Sequence, residues 1–206
     1  AGKTKTIKEM QELLATGSGR TTICEVVINA SDQTYLEIEP YSPQDMESMI
    51  LDFCDSLSDP ADLQGEQKVM LSKEIETAIR NVIQLSKVSI TNKEGDKPAT
   101  TRIDRAREEL EKSGLDGLKA VAIRNANLVG RTETRISYDG QEDERAWIKR
   151  TFARVNNGES PTVAIPRKIH VSVSEAVLSV SPLSRFHTVV DTKGIDENPI
   201  RKDLEE

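Results

Sequence analysis

Hydrophobic residues near the start of the chain follow first a helical period and then a strand period. Apolar positions three and four residues apart predict an amphipathic helix over about residues 2–15, which ends at a Gly- and Ser-rich turn. Residues 23–28 and 35–38 are short runs rich in residues that favour strands, and the polar segment 29–33 separates them. They are predicted to be strands, and their short connection is compatible with a hairpin.

The middle of the chain, residues 42–160, has mostly helical spacing. Ser42, followed by a proline, suits the start of a helix, and Thr101 with Asp104 resembles a capping box at the start of another. The polar stretch 92–101 is predicted to be a loop. The predicted helices cover about residues 42–57, 71–83, 103–110, 115–128 and 142–155.

Strand spacing returns after residue 157. Ile169, Val171 and Val173 alternate with more polar residues, which predicts a strand with one buried face. Residues 186–190 form a nearly continuous apolar run, which is typical of a central strand covered on both faces.

These patterns indicate an α/β core made of residues 1–41 and 161–206. The helical block 42–160 is best explained as an insertion into that core, and Trp147 and Phe152 are expected to lie in the core of the insertion. The role of the insertion is left open by its sequence.

Composition narrows the classes of partner. The chain of 206 residues has 28 Lys and Arg against 35 Asp and Glu, a net charge of -7, and only 3% aromatic residues, so a general nucleic-acid binder is not expected. No stretch approaches the ~20 apolar residues of a transmembrane helix. Cys24 and Cys54 lack the spacing of a disulfide framework or a zinc cluster and are expected to be buried thiols, in a cytoplasmic protein.

The first residues match the end of a phosphate-binding loop. Gly2-Lys3-Thr4 directly precedes the first predicted helix, with Ala1 before it as the last variable loop position and Lys5 after it. In such a loop, backbone N–H groups surround the phosphates, Lys3 reaches the β- and γ-oxygens, and the Thr4 hydroxyl ligates Mg²⁺. The alternative is an N-terminal tail with an exposed lysine. The absence of the loop's first glycine and of an initial Met suggests a piece of a longer protein.

A second candidate lies near the other end of the chain. The apolar run 186–190 leads into Asp191-Thr-Lys-Gly194, which would place a carboxylate near Mg²⁺ and a glycine N–H near the γ-phosphate at the end of a strand. The alternative is an ordinary turn after a strand.

The third candidate is the segment between the first helix and the first strand. NTPases place a flexible switch there, whose threonine completes the metal shell when the γ-phosphate is bound. Thr21 is the first choice for this role and Thr22 the second, although either could simply begin the strand. Arg20 is a candidate for contacting phosphate or stabilising transition-state charge, and a solvated arginine is the alternative.

With these three segments in this order, the sequence resembles P-loop GTPases of the dynamin-like type. The resemblance covers about residues 1–40 and 161–206 and implies a P-loop three-layer α/β/α core, here incomplete and carrying a helical insertion. It implies GTP or ATP as substrate, Mg²⁺ as cofactor, hydrolysis as a conformational switch, and self-association through the nucleotide-binding face. There are three departures: the phosphate loop is cut, Lys193 stands where such GTPases often have proline, and 188 residues separate Lys3 from Asp191, far more than in small GTPases. The base-recognition motif that the resemblance implies does not follow Gly194. The isolated fragment is therefore expected to be inactive.

Two other functions remain open from the sequence. One is a nucleotide-independent interaction module in which block 42–160 does the binding, and the other is a P-loop kinase that transfers phosphate to a small molecule. His170 and His187 lack metal-ligand spacing and are expected to be structural. No GxSxG nucleophile motif is present.

Overall fold

A computed structural model describes residues 24–58, 71–94, 97–178 and 188–191, with the backbone alone described at residues 92–94, 97–99 and 191. The strands, in chain order, are β1 Glu25–Ser31, β2 Tyr35–Pro40, β3 Lys87–Glu94, β4 Lys97–Asp104, β5 Arg135–Ser137, β6 Pro166–Ser174 and β7 Thr188–Asp191. The helices are α1 Pro43–Ser56, α2 Lys73–Val82, α3 Arg105–Ala126, α4 Glu144–Asn156 and α5 Glu175–Leu178, with a 3-10 turn at Leu128–Gly130. The protein is thus a mixed α/β structure.

The described residues form two compact units. The first contains residues 24–42 and the described residues from Val129 onward, and the second begins at Pro43 and ends at Leu128. Residues 129–160, which the sequence grouped with the insertion, make their contacts within the first unit.

The first unit is built on a five-stranded sheet in the order β5-β2-β6-β1-β7. β6 runs parallel to β1, and the other neighbouring strands are antiparallel. The hairpin predicted between β1 and β2 does not form, because β6 lies between these two strands and pairs with both. Since β6 is more than 120 residues away in sequence, local patterning could not reveal this partner.

One face of this sheet carries the core of the first unit. The alternation predicted for β6 is confirmed, with Ile169, Val171 and Val173 fully buried. Trp147 and Phe152 on α4 pack in the same core as these residues, so the expectation that they lie in the core of an insertion was wrong. The other core residues of the sheet are Val26, Ile28, Leu36 and Ile38.

Thr34 joins several elements at the end of the sheet where β1 ends and β2 begins. Its hydroxyl donates to the carboxylate of Glu144 and accepts from the Ser174 N–H at 2.9 Å. Its carbonyl accepts from the Tyr138 N–H at 3.0 Å. A 5% exposed threonine thereby satisfies backbone groups from β6 and from the segment after β5.

β7 differs from its prediction. A central strand covered on both faces was expected, but in the described part of the chain β7 is the last strand of the sheet and pairs only with β1. Val190 is 52% exposed, which agrees with an edge position. A continuous apolar run does not distinguish an edge strand from a central one, because both can be hydrophobic.

The second unit contains three helices and a two-stranded ribbon. The helices predicted near residues 42–57 and 71–83 are confirmed as α1 and α2. Residues 92–94 and 97–101, predicted to be a loop, instead belong to the antiparallel β3–β4 ribbon, so that prediction was wrong. Polar, threonine-rich strands lack the apolar alternation on which the sequence argument depended.

α3 begins later than predicted and contains a kink. Ile103 lies in β4 rather than in the helix, and the Asp104 carboxylate caps α3 by accepting from the Arg107 N–H at 3.2 Å. Within α3, Gly114 has φ 72° and ψ -179°, a conformation that side-chain-bearing residues almost never adopt, which explains the glycine at this position.

Arg80 is the main polar anchor of the second unit. Its guanidinium binds both carboxylate oxygens of Asp104, at 2.6 and 3.0 Å, and Glu76 at 2.8 Å. It also lies 5.0 Å from the centre of the Phe53 ring. The arginine side chain is 4% exposed, so the cost of burying its positive charge is offset by these two carboxylates. Arg80 therefore connects α2 to the end of β4 and, through Phe53, to α1.

We expect Arg80→Met to destabilise the protein by about 3 kcal/mol, because the Asp104 carboxylate loses its bidentate partner and Glu76 keeps only Lys87. Burial alone would raise the pKa values of Glu76 and Asp104, but hydrogen bonds and charges from their basic neighbours outweigh it and lower both. A lowered carboxyl pKa stabilises the folded state above the ordinary pKa, and that stabilisation is lost as the pH falls through the folded value.

Urea unfolding followed by circular dichroism at pH 7 and near pH 3 measures this effect. The difference in stability between the two pH values should be smaller in Arg80→Met than in the wild type. Arg107→Met, at a side chain that is 64% exposed, is the matched control and should change stability little. Equal unfolding midpoints for Arg80→Met and wild type would contradict this role of Arg80.

Candidate functional site

One end of the main sheet carries Asp191, the one predicted site residue whose backbone lies within the described part of the chain. At this end, which we call the Asp191 end, β1 and β6 begin and β2 and β7 terminate. Asp191 is paired with Val26, and the neighbouring row contains Glu25, Lys168 and Glu39 on three adjacent strands. The antiparallel direction of β7 therefore places the last residue of the strand beside the beginning of β1.

Most of the predicted nucleotide-site residues lie outside the described residues. These are Ala1, Gly2, Lys3, Thr4, Lys5, Arg20, Thr21, Thr22 and Gly194, and the same holds for His187. For Asp191 the structure describes the backbone. Of the predicted site, the structure therefore gives the position of Asp191 and of the strand that follows the two threonines.

The beginning of β1 is held by one apolar and one charged contact. Cys24 is completely buried in the core, and its thiol lies 4.0 Å from the Asn156 side-chain oxygen at the end of α4. The next residue, Glu25, forms an ion pair with Lys168 at 3.0 Å. The chain immediately after Thr21 and Thr22 is therefore attached to the core and to β6.

Both cysteines are buried free thiols, as the sequence predicted. Burial raises the pKa of the Cys54 thiol to about 11, with a further contribution from Asp55. A thiol with so high a pKa is a poor nucleophile at neutral pH, so Cys54 is structural.

Lys168 is the centre of a row of alternating charges across the sheet. Its register places it between Glu25 on β1 and Glu39 on β2. The hydrogen bond to Glu25 is the main cause of the raised pKa of Lys168, and the charges of Glu39 and Glu25 act in the same direction. The ammonium group thus remains charged at neutral pH and joins β6 to β1.

The Glu39 carboxylate binds two further basic side chains at the Asp191 end of the sheet. Its carboxylate lies 2.6 Å from His170 Nε2 and 3.3 Å from Arg167 Nη2. The hydrogen bond to His170 is the main reason that the pKa of Glu39 is lowered, although burial opposes it. His170 therefore has a carboxylate partner, which supports the structural role predicted for it.

The described side chains do not form a metal site by themselves. Among residues 24–58, 71–94, 97–178 and 188–190, no group of three or more His, Cys, Asp or Glu side chains is placed to hold a metal ion. The carboxylate of Glu25 forms an ion pair with Lys168, and that of Glu39 forms one with Arg167. Their arrangement therefore suits positioning of the strand ends rather than metal ligation.

The charge row around Lys168 was not evident from the sequence. Glu25, Lys168 and Glu39 meet because β6, which is distant in sequence, lies between β1 and β2, and their pairing depends on this order of strands in the sheet. The available signal was the alternation of charged with apolar residues in β2 and β6, which places the charges on one face but does not identify their partners.

Comparisons with known proteins do not identify a family. No protein-family model matches the chain, and no curated protein matches its sequence. Within the parts of the chain that the structure describes, no helix combines the length and hydrophobicity needed to cross a membrane.

We expect Lys168→Met to loosen the beginning of β1 without unfolding the sheet. The amide protons of Glu25, Val26 and Val27 should exchange with solvent about two- to fivefold faster, the effect expected of a partly exposed ion pair. Hydrogen exchange followed by NMR or mass spectrometry measures this. Lys149→Met, at an exposed position on α4, is the control and should leave these amides unchanged. Unchanged exchange in Lys168→Met would show that the ion pair does not hold the strand end.

Proposed function

We propose that this chain is part of the nucleotide-binding domain of a P-loop NTPase of the dynamin-like type, which binds and hydrolyses GTP or ATP with Mg²⁺. The observation that carries the proposal is the antiparallel pairing of β7 with β1, in the register Asp191 with Val26. This pairing relates two of the three sequence segments that resemble such enzymes.

The pairing of β7 with β1 supports a metal site shared by Asp191 and the threonines, because Thr21 and Thr22 precede β1 by only a few residues. Thr22 precedes Val26 by four residues, and four residues span at most about 14 Å. The attachment of Cys24 and Glu25 to the core shortens the free part of this segment. In this proposal, a threonine hydroxyl from residue 21 or 22 and the Asp191 carboxylate act on one ion at the Asp191 end of the sheet.

In this proposal each residue has a defined task. Lys3 and the N–H groups of residues 1–5 hold the β- and γ-phosphates, and Thr4 binds Mg²⁺ together with Thr21 or Thr22. Asp191 contacts the metal through water, and the Gly194 N–H responds to the γ-phosphate. Bound Mg²⁺ would neutralise charge that develops during phosphoryl transfer. Arg20 would add positive charge, and self-association would occur through the nucleotide-binding face.

A nucleotide-independent interaction module is the second candidate. Two observations on the second unit favour it. The unit has its own buried ion-pair network around Arg80, and its β3–β4 ribbon pairs with no other described strand. The two candidate functions differ in whether the protein binds and responds to Mg²⁺ and nucleotide.

A nucleotide titration of the full-length protein that carries residues 1–206 tests the proposal. We expect saturable, Mg²⁺-dependent binding of a fluorescent nucleotide, lost in Lys3→Ala because the β- and γ-phosphates lose their cation. Asp191→Asn should weaken Mg²⁺ affinity by about 10- to 100-fold, the usual effect of removing a residue that orients a metal-bound water. Competition with unlabelled GTP and ATP gives the base preference.

The control is Lys149→Ala, a surface lysine of α4 with no role in the proposed site. Its affinity should equal that of the wild type. Release of inorganic phosphate without an added acceptor separates hydrolysis from the kinase alternative. The proposal is rejected if the wild type binds neither nucleotide in the presence of Mg²⁺, or if Lys3→Ala binds as tightly as the wild type.

A further inference from the structure

The β3–β4 ribbon of the second unit has two outer edges. The two strands pair with each other over eight residues each, from Lys87 opposite Asp104 to Glu94 opposite Lys97. In the part of the chain that the structure describes, neither strand pairs with a third. Edge strands present unpaired N–H and C=O groups and are the usual places where an extended peptide adds to a sheet.

Pro98 makes the two edges unequal. It pairs with Lys93 in the ladder, and because proline has no N–H, this is a pair without mutual hydrogen bonds. Pairs of the same kind recur every two residues, so Thr91 with Thr100 and Ser89 with Arg102 also direct their backbone groups outward. The 3.3 Å distance between the Thr91 and Thr100 hydroxyl oxygens agrees with the closer approach in such pairs.

The outward groups of β3 thus include the N–H and C=O of Ser89 and Thr91, whereas the β4 edge has a proline that cannot donate. The β3 edge can extend the ladder, and the β4 edge is interrupted. Proline is one of the means by which proteins prevent pairing at a strand edge.

The two faces beside the β3 edge differ in chemistry. One face carries Lys87, whose ammonium already forms an ion pair with Glu76 at 2.8 Å, and Arg102, which is exposed and has no ion pair among the described residues. On the other face lie Val88 and Ile90, and Ile90 is 43% exposed, a large value for an isoleucine. A strand added at this edge would alternate its side chains between the face that carries Arg102 and an apolar face.

We propose that the β3 edge of the ribbon binds an extended segment of a partner protein in which acidic and apolar residues alternate. The segment adds as a third strand, with main-chain hydrogen bonds to Ser89 and Thr91. Its acidic side chains face Arg102, which lies on β4 opposite Ser89, and its apolar side chains cover Ile90. This binding does not require nucleotide and is independent of the function proposed above.

Fluorescently labelled seven-residue peptides in which glutamate and valine alternate are suitable probes, measured by anisotropy with the full chain. Peptides in which lysine replaces glutamate test the charge, and peptides of the same composition in scrambled order test the alternation. The glutamate–valine peptide should bind saturably and more tightly than either of the other two.

Two proline substitutions distinguish peptide binding at the β3 edge from binding at the β4 edge. Thr91→Pro and Thr100→Pro change directly opposed residues, and each removes an N–H that the β3–β4 ladder does not use. We expect Thr91→Pro to weaken binding by at least about tenfold, because it removes a donor from the β3 edge, and Thr100→Pro to change it by less than about twofold. Circular dichroism and thermal unfolding verify that both variants fold.

Ile90→Ser provides a measurement that does not depend on proline. It should weaken binding several-fold by removing apolar contact on one face. The proposal is overturned if the wild type does not bind the glutamate–valine peptide, if the lysine–valine or scrambled peptide binds equally well, or if Thr91→Pro and Thr100→Pro weaken binding to the same extent.

Discussion

The first unit depends on one strand, β6, which pairs along both of its edges. Its two-residue alternation buries Ile169, Val171 and Val173 against α4 and leaves Lys168 and His170 on the opposite face. Because β6 runs parallel to β1 and antiparallel to β2, it separates two strands that are neighbours in the sequence. The position of every other strand in the sheet follows from this arrangement.

This arrangement also determines which chemistry meets at the Asp191 end. β6 places Lys168 between Glu25 and Glu39, so that the beginning of β1 is held by a charge as well as by the buried Cys24. β7 then ends beside that beginning. In the proposed function, the segment that carries Thr21 and Thr22 is a switch that responds to a metal-bound phosphate. Such a switch needs one fixed end, and the beginning of β1, beside Asp191, supplies it.

Local patterns predicted elements better than they predicted partners. The strand β6 and the helices α1 and α2 follow from periodicity, because their amphipathic spacing is strong, and α4 follows from a weaker pattern of the same kind. The false hairpin of β1 and β2 and the edge position of β7 depend on contacts distant in sequence, which no local pattern contains. The β3–β4 ribbon was missed for a different reason, because its polar strands depend on pairing with each other rather than on a buried face. At the candidate site, the phosphate-loop and metal residues were proposed from motif order, whereas the charge row around Lys168 became evident from strand register.

The central claim is that β7 pairs with β1 in the register that brings Asp191 to the beginning of β1. The most direct test is a disulfide cross-link between Asn29→Cys and Thr188→Cys, two directly opposed positions. Opposed residues of antiparallel strands lie within the Cα separation that a disulfide allows. The account predicts rapid cross-linking of this pair under mild oxidation and none for Glu25→Cys with Thr188→Cys, which the register separates by about 13 Å. Failure of the opposed pair to cross-link in the folded protein, or equal cross-linking of both pairs, would contradict it.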